Sequence, residues 1–479
     1  MKTFPTLVST LALLIAVPVF AAPATGPLRV LSSNPRYFSD GSGKAVYLTG
    51  SHTWCNFATD QRKNDPPAGF DFNAYLDFLV AHNHNFFRGW VWELTYSEEG
   101  KNPNGLFHWS PHPWRRTGPG KATDGKPKFD LDQFNQEFFD RIRARVIAAR
   151  DRGIYVSIML FQGYSLQFNR NPTDGFPLDG RNNINGVDAG TGHAADTLQN
   201  SAVTARQDAY VKRVIDAVND LDNVLYEISN ESGVYATAWQ HHMINLIHQY
   251  EAGKPKQHPV GMTFQYAGGS NADLFASPAD WISPGAGDGY QADPPAADGR
   301  KVLVNDTDHS FFWTGLQKSG TAGQQAWVWR NFVRGNYVLF MDPYLAKWTT
   351  RNNPVGINLQ DQAFGTSPDP YWETLRNAMG RAKTYADKAN LAAMTPQNTI
   401  ASTAYCLANP GHEYVVYQPR SDSAFTVSLK AGAYHYEWFN PSTGAVTSSG
   451  QFTASAGEKT FTAPFSGDAV LYISDKNER

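Results

Sequence analysis

Residues 223–231, which read Asn-Val-Leu-Tyr-Glu-Ile-Ser-Asn-Glu, decide the fold. The run is apolar, rich in residues that favour β-strands, and ends abruptly in Asn230 and Glu231. This pattern is typical of a buried strand that brings a carboxylic acid to the polar edge of a sheet. Helical patterns precede it at about 201–221 and follow it at about 237–250. The run is therefore the strand of an αβα unit, whose carboxyl end carries the chemistry in open α/β sheets and in (β/α)8 barrels.

Seven further short apolar runs resemble this strand, and most of them alternate with helical patterns. Polar or aromatic residues follow the runs, at the ends where barrel enzymes place their sites. The sequence therefore predicts a TIM-type (β/α)8 barrel, in which the sixth strand and its helix are the weakest part. The predicted strands cover residues 45–49, 85–92, 154–161, 223–231, 259–264, 281–283, 301–304 and 337–341. Further predicted helices cover 72–82, 130–152, 323–332 and 371–388, and predicted long loops cover 93–128 and 162–200.

Residues 1–22 have the composition of a secretory signal peptide. Lys2 provides the positive start, residues 7–20 are almost wholly apolar, and Ala21 or Ala22 offers a cleavage site. The apolar segment is shorter than the roughly 20 residues that a membrane span requires. We therefore expect an exported chain, secreted or periplasmic, without membrane insertion.

Residues 23–395 are predicted to form the barrel with an N-terminal hairpin, and the pattern changes after them. Residues 396–479 contain short runs with strand periodicity, separated by turn signals such as Asn409-Pro410-Gly411. This pattern predicts a small antiparallel β-sandwich as an accessory domain. Two distant cysteines exclude a disulfide framework, and a net charge of −3 gives no reason to expect nucleic acid as a partner. The aromatic content of 13% is a mild indication of carbohydrate binding.

Acidic residues on opposite barrel strands are the strongest functional signal. Glu231 follows strand four, and Asp306 and Asp308 follow strand seven with the same side-chain parity. Glycosidic hydrolysis requires two such carboxyl groups, because one protonates the leaving oxygen while the other acts as nucleophile or activates water. Asp306 is the favoured second carboxylate because it is nearer the end of its apolar run, and Asp308 is the alternative.

Three motifs carry a family resemblance. Asn230-Glu231 resembles the acid/base motif of clan A glycoside hydrolases, and Asn-Phe-Phe-Arg at 85–88 resembles the second strand of that clan. The barrel, followed by a sandwich with Tyr-Glu-Trp-Phe-Asn-Pro-Ser-Thr-Gly at 436–444, resembles the apiosidase-type hydrolases, whose C-terminal domain is often labelled collagen-binding. One departure is that clan A enzymes normally place a glutamate after strand seven, where this chain has aspartates.

The resemblance implies roles for individual residues. Glu231 would be the general acid/base with a raised pKa, and Asp306 the nucleophile or the base that activates water. Asn230 would bind the sugar hydroxyl beside the anomeric carbon, and Arg88 would hold the strand-seven carboxylate ionised. Clan resemblance favours retention of anomeric configuration, whereas the shorter aspartate favours a wider carboxyl separation. The remaining predicted substrate-binding residues are His52, Trp54, Gln265, Tyr344, Asp308 and His309.

Each assignment has a structural alternative. Glu231 could be an N-cap-like acid, the two aspartates could order a loop, and Arg88 could form a buried ion pair with Glu227. Glu93 is a reserve acid. Trp109 and Trp114 fit sugar platforms or loop anchors equally well. His82, His84, His241 and His242 are interpreted as structural.

The competing function is a non-catalytic protein that binds glycan or extracellular matrix through the sandwich. A metallohydrolase is disfavoured because no His/Asp cluster is evident in the sequence, so we expect neither a metal nor another cofactor.

Overall fold

The computed structural model of the 479-residue chain describes residues 22–62, 70–98, 106–168, 171, 173–190, 192–266, 268–310, 313–345, 367–419 and 423–475. The predicted signal peptide lies outside these residues except for Ala22. Within the described ranges, no helix combines the length and apolar character that crossing a membrane requires.

Eight parallel strands form one sheet that curls into a barrel. In chain order they are β1 Thr49–His52, β2 Phe86–Trp90, β3 Tyr155–Gln162, β4 Val224–Asn230, β5 Val260–Thr263, β6 Trp281–Ser283, β7 Val302–Asp306 and β8 Tyr337–Met341. Neighbours in the chain are neighbours in the sheet, and β8 pairs with β1. The backbone of β1 meets that of β2 where Asn85 N–H donates to Thr49 O at 2.9 Å. Gly50 permits this approach, because a Cβ there would lie 1.9 Å from Phe86 O. The predicted barrel is confirmed.

Helices cover the outside of the barrel and bury apolar faces against it. The helix Phe72–Ala81, for example, begins at the N-cap Asp71, whose carboxylate accepts from Ala74 N–H, and buries Tyr75 and Leu79. The other helices are Gln136–Arg150, Tyr164–Phe168, Ser201–Val218, Thr237–Glu251, Asn271–Ala276, Trp313–Val333 and Glu373–Lys388. Short 3-10 turns cover Gly192–Asp196, Val234–Ala236, Gly287–Gly289 and Pro370–Trp372.

The first barrel strand was predicted too early in the chain. β1 begins at Thr49, whereas Val46 forms an antiparallel bridge with Phe38, part of the strand Phe38–Ser39 that pairs with Arg29–Val30. The Tyr47 ring packs edge-on against Tyr337 at 5.2 Å between centroids. Residues 46–48 are apolar because they are buried below the first barrel strand. An apolar run in a sequence does not show which of its residues form hydrogen bonds with a neighbouring strand.

The predicted loop 93–128 and the start of the predicted helix 130–152 are wrong. Strands Tyr96–Glu98, Leu106–Ser110 and Thr59–Arg62 form a small sheet, and Trp114–Lys121 pairs with Pro127–Phe134. The buried Phe129 and Leu131 alternate in sequence with Lys128, Asp130 and Asp132, which is the strand period of two. Trp109 stacks on Trp92 with 3.9 Å between ring centroids and is 4% exposed, so it anchors this extension.

The C-terminal domain is an antiparallel β-structure with its own apolar core. Six strands form the larger sheet in the order Thr395–Pro396, Cys406–Asn409, Glu413–Gln418, Ala469–Asp475, Gly432–Asn440 and Ala445–Ala454. Phe425–Leu429 and Gly457–Phe461 pair separately. The larger sheet packs on the barrel helices through aromatic rings, among them Tyr385 and Phe439 at 5.0 Å between centroids. This contact is apolar and buried, so the sandwich is an integral part of the molecule.

Candidate active site

Polar side chains converge on Arg88 at the carboxyl ends of the barrel strands. The Arg88 Nε and Nη2 atoms donate to the two carboxylate oxygens of Glu227 at 2.8 and 2.6 Å, and Nη2 also donates to Asn230 Oδ1 at 2.8 Å. Nη1 donates to Asp306 Oδ2 at 3.1 Å and to Asp308 Oδ2 at 2.7 Å. Since Arg88 is 1% exposed, these charge-assisted bonds fix its position almost completely. Both roles considered for Arg88, the ion pair with Glu227 and contact with a strand-seven carboxylate, occur together.

His52 orients Asp306 from the opposite side. Trp90 Nε1, which can only donate, lies 3.0 Å from His52 Nδ1. His52 Nδ1 must therefore accept, which leaves the proton on Nε2. That nitrogen lies 3.1 and 3.0 Å from the two carboxylate oxygens of Asp306 and donates to them.

The electrostatic surroundings keep Asp306 ionised. Burial alone would raise the pKa of the Asp306 carboxyl, but His52 and the Arg88 guanidinium outweigh it and hold the pKa well below its usual range. Asp306 is 1% exposed and is the last residue of β7. A buried, hydrogen-bonded carboxylate on a strand is held in one position, as a reacting group requires.

Glu231 has the opposite environment. It directly follows β4 with φ of 52°, a left-handed conformation that a non-glycine residue adopts at a cost of about 1–2 kcal/mol. Its Oε2 atom is buried and has no hydrogen-bond partner among the described residues. Burial raises the pKa of the Glu231 carboxyl to about 8; the negative charge of Asp308 adds to this rise and Arg88 opposes it. Glu231 is therefore a protonated acid at neutral pH with an oxygen available for a ligand.

The two carboxyl groups thus differ in protonation state within one site. A protonated Glu231 can donate a proton, and an ionised Asp306 can attack an electrophilic carbon or accept a proton from water. Environments that push the pKa values of two acids apart are how enzymes assign acid and base roles. The arrangement can perform acid-assisted substitution at a carbon that bears an oxygen leaving group.

Asn230 is held by three neighbours. Its Oδ1 accepts from Arg88, and His309 Nε2 lies 3.4 Å from the same oxygen. Its Nδ2 donates to Gln162 Oε1 at 3.2 Å, which leaves one amide hydrogen for a ligand. The sequence interpretation missed Gln162. The signal for it was available, because Gln162 ends the apolar run of β3 and lies opposite Asn230 in the strand register.

Three other predicted site residues lie in different surroundings. Trp54 contacts the site indirectly, with its ring edge-on to Trp90 at 6.3 Å between centroids. Gln265 Nε2 donates to Gly233 O at 3.1 Å and to Thr237 Oγ1 at 2.8 Å, so its amide braces the loop after β4. The Tyr344 ring packs on the outer helix residues Tyr75 and Phe78 at 5.4 and 5.1 Å between centroids. Gln265 and Tyr344 therefore support the surrounding structure, and their role in the sugar subsite stays a prediction.

The sequence interpretation denied a His/Asp cluster, and this is wrong. Ligand atoms of Asp306, Asp308 and His309 lie within 4.8 Å of one another. Parity along β7 brings the aspartates together, and the loop turns His309 back beside them. Arg88, however, already supplies a buried positive charge to both aspartates at 3.1 and 2.7 Å. A cation at this cluster would lie against the guanidinium, which is an unfavourable contact.

Glu93, the reserve acid, lies behind the site. Its Oε1 accepts from Gln162 N–H at 3.1 Å, and burial raises the pKa of the Glu93 carboxyl to about 8. Its Oε2 is buried without a hydrogen-bond partner among the described residues, and Glu93 lines a cavity together with residues such as Phe161, Asp196 and Trp239. Glu93 thus resembles Glu231 in its raised pKa, but the charges of Arg88 and Asp308 act on the pKa of Glu231 and not on that of Glu93.

Comparisons with known proteins agree with this architecture. Residues 393–473 match a family model described as "Putative collagen-binding domain of a collagenase". The structure of a family 5 glycoside hydrolase from Bacteroides vulgatus superposes with a TM-score of 0.62 and 13% identity, covering 96% of each chain. A structure described as a glycoside hydrolase has a TM-score of 0.58 and 12% identity, covering 95% of this chain and 98% of the other. No curated protein matches the chain by sequence. At these identities the structures show a shared fold of barrel and sandwich, as the clan A resemblance predicts.

Proposed function

We propose that this protein is a glycoside hydrolase that uses Glu231 as general acid/base and Asp306 as nucleophile. The observation that carries the proposal is the contrast between two carboxyl groups at the ends of β4 and β7: Asp306 is hydrogen-bonded to His52 and Arg88, whereas a buried oxygen of Glu231 has no hydrogen-bond partner among the described residues. Solved structures with the same two-domain fold are described as glycoside hydrolases, which supports the reaction class. The substrate class is a plant or microbial polysaccharide or an oligosaccharide derived from it.

In the first step Asp306 attacks the anomeric carbon while Glu231 gives its proton to the departing glycosidic oxygen. In the second step Glu231, now ionised, takes a proton from water, whose oxygen displaces Asp306 from the anomeric carbon. The spare amide hydrogen of Asn230 binds the hydroxyl beside that carbon. The two steps together consume one water molecule and release two products, the free sugar and the alcohol that contains the former glycosidic oxygen.

The charge state of Asp306 favours retention over inversion. A general base works best when its pKa is near the operating pH, and the pKa of Asp306 is far lower. A weakly basic carboxylate is a poor proton acceptor but a good leaving group in the second step. We therefore propose a covalent glycosyl–Asp306 intermediate.

The composition of residues 1–22 supports export, and a secreted or periplasmic site of action suits an enzyme that meets large extracellular glycans. A panel of plant and bacterial glycans, with product analysis, tests the function. We expect release of sugar from at least one member, with the first-formed anomer retained in an NMR time course. Absence of hydrolysis across a broad panel would overturn the proposal, and an inverted first product would overturn the nucleophile role of Asp306.

The pH dependence of kcat/KM follows from the two carboxyl groups. Glu231 must be protonated, so kcat/KM should fall as pH rises through about 8. Asp306 must be ionised, and its lowered pKa places the acidic limb below the usual range of an aspartate. The charge of Asp308 helps to raise the pKa of Glu231, so Asp308→Asn should move the alkaline limb to lower pH. Asp151→Asn, at an exposed position, should leave that limb in place. An unmoved limb in Asp308→Asn would contradict the assignment of the acid.

The family match of residues 393–473 favours a second candidate function, binding of matrix or glycan through the sandwich. Co-sedimentation of full-length Glu231→Gln protein with insoluble glycans or collagen tests it without hydrolysis of the target. Binding that persists when the barrel site is filled with product would assign it to the sandwich.

A further inference from the structure

Two large apolar side chains are exposed beside the acid. Val234 and Tyr266 are 45% and 56% exposed, whereas the barrel interior buries nearly all comparable side chains. Val234 lies three residues after Glu231, in the loop that this acid opens. Tyr266 lies in the loop after β5, and its backbone N–H donates to Ser232 O at 3.1 Å.

The two loops form one continuous surface. Gln265 joins them through its bonds to Gly233 O and Thr237 Oγ1. Gly268 packs directly under Val234, because a Cβ at Gly268 would lie 3.3 Å from Val234 Cγ1. Gly268 also has φ of +80°, so its backbone conformation suits glycine. The exposed apolar surface formed by Val234 and Tyr266 is therefore held in place by both loops.

The chemistry of this surface differs from that of the buried site. On the Arg88 side of Glu231, the groups are charged or polar and suit the hydroxyls of a sugar ring. On the side of Val234 and Tyr266, the Gln265 amide and the Ser232 and Gly233 carbonyls are engaged in hydrogen bonds between the loops. An apolar group on the leaving oxygen would cover the exposed aliphatic and aromatic surface of Val234 and Tyr266 without displacing these hydrogen bonds.

We infer that Val234 and Tyr266 form a leaving-group subsite that accepts glycosides with an apolar, flat aglycone, such as an aryl or arylalkyl group, besides the sugar leaving groups of the proposed substrates. This inference rests on the proposed function. The leaving oxygen takes its proton from Glu231, so the aglycone must lie against the acid and outside the buried polar pocket. Val234 follows Glu231 on one loop and Tyr266 is hydrogen-bonded to that loop through its backbone, so the surface that they form adjoins the acid. Stacking on an exposed tyrosine ring suits a flat apolar group.

Benzyl and methyl glycosides of the sugar identified by the glycan panel provide the test, since they share the glycone and have leaving groups of similar basicity. Tyr266→Ser and Val234→Ser should each lower kcat/KM for the benzyl glycoside by about five- to tenfold, as expected for losing roughly 50 Å² of apolar contact. The methyl glycoside should change by less than about twofold, because its aglycone covers little of the surface.

Val446→Ser, at a site 53% exposed on the sandwich, is the matched control and should leave both rates unchanged. Equal losses on both glycosides, or no loss on either, would overturn the inference while the hydrolase function stands. A wild-type protein that cleaves neither glycoside, after failing on the glycan panel, would overturn the proposed function and the inference with it.

Discussion

Glu231→Gln should lower kcat/KM on unactivated glycosides by about 10³-fold while the protein remains folded. The substitution keeps the shape of the side chain and removes the proton that the leaving oxygen requires. Because Glu231 Oε2 has no partner among the described residues, the variant breaks no hydrogen bond of that atom. Steady-state kinetics give the loss, and circular dichroism with thermal unfolding shows that the fold is retained.

The leaving group separates a chemical role of Glu231 from a structural one. A dinitrophenyl aglycone departs without protonation, so its first-step rate in Glu231→Gln should stay close to that of the wild type. Glu93→Gln is the matched control, since burial likewise raises the pKa of the Glu93 carboxyl to about 8. It keeps the Oε1 acceptor for Gln162 N–H and should lower activity by less than about tenfold. A loss in Glu93→Gln equal to that in Glu231→Gln would mean that the acid has been misassigned.

The position of the site was predictable because strand ends can be read in a sequence. The period of β4 places Glu231 at a carboxyl end, and parity along β7 places Asp306 and Asp308 on one side. The contacts of Arg88 with four side chains were only partly predictable. They depend on how strands separated by more than 100 residues converge, and no local pattern carries that information.

Side-chain contacts were least predictable where the chain leaves regular structure. Gln265 and Tyr344 follow barrel strands, yet the backbone turns after each strand and directs them to a neighbouring loop and an outer helix. Tyr344 has φ of 52°, outside the range in which strand alternation predicts side-chain direction. The predicted helix starts at residue 130 because Phe134 fits the helical period of the residues that follow, but residues 130–134 belong to the strand Pro127–Phe134. Both the helical and the strand period fit these few residues. Pairing with the strand Trp114–Lys121 decides in favour of the strand.

Asp306→Asn should lower kcat by a factor on the order of 10⁴, more than any other single change at the site. The amide cannot attack the anomeric carbon, and it replaces an acceptor of the His52 and Arg88 hydrogen bonds with an NH2 group. Asp308→Asn should lower kcat near pH 6 far less than Asp306→Asn does, because Asp308 acts on Glu231 through its charge and burial still raises the pKa of Glu231 without it. Thermal unfolding of both variants is the control for folding.

Covalent trapping then decides between the two aspartates. A 2-deoxy-2-fluoro glycoside with a good leaving group should form a stable glycosyl-enzyme, and mass spectrometry of its peptides should place the label on Asp306. The geometry favours this result: Asp306 is the last residue of β7 and receives two-sided support from His52 and Arg88, whereas Asp308 lies beyond the strand. A label on Asp308 would exchange the two roles. In that case His52 would be bonded to Asp306, a carboxylate beside the nucleophile. His52→Gln should then change the pH dependence of the rate more than it changes kcat.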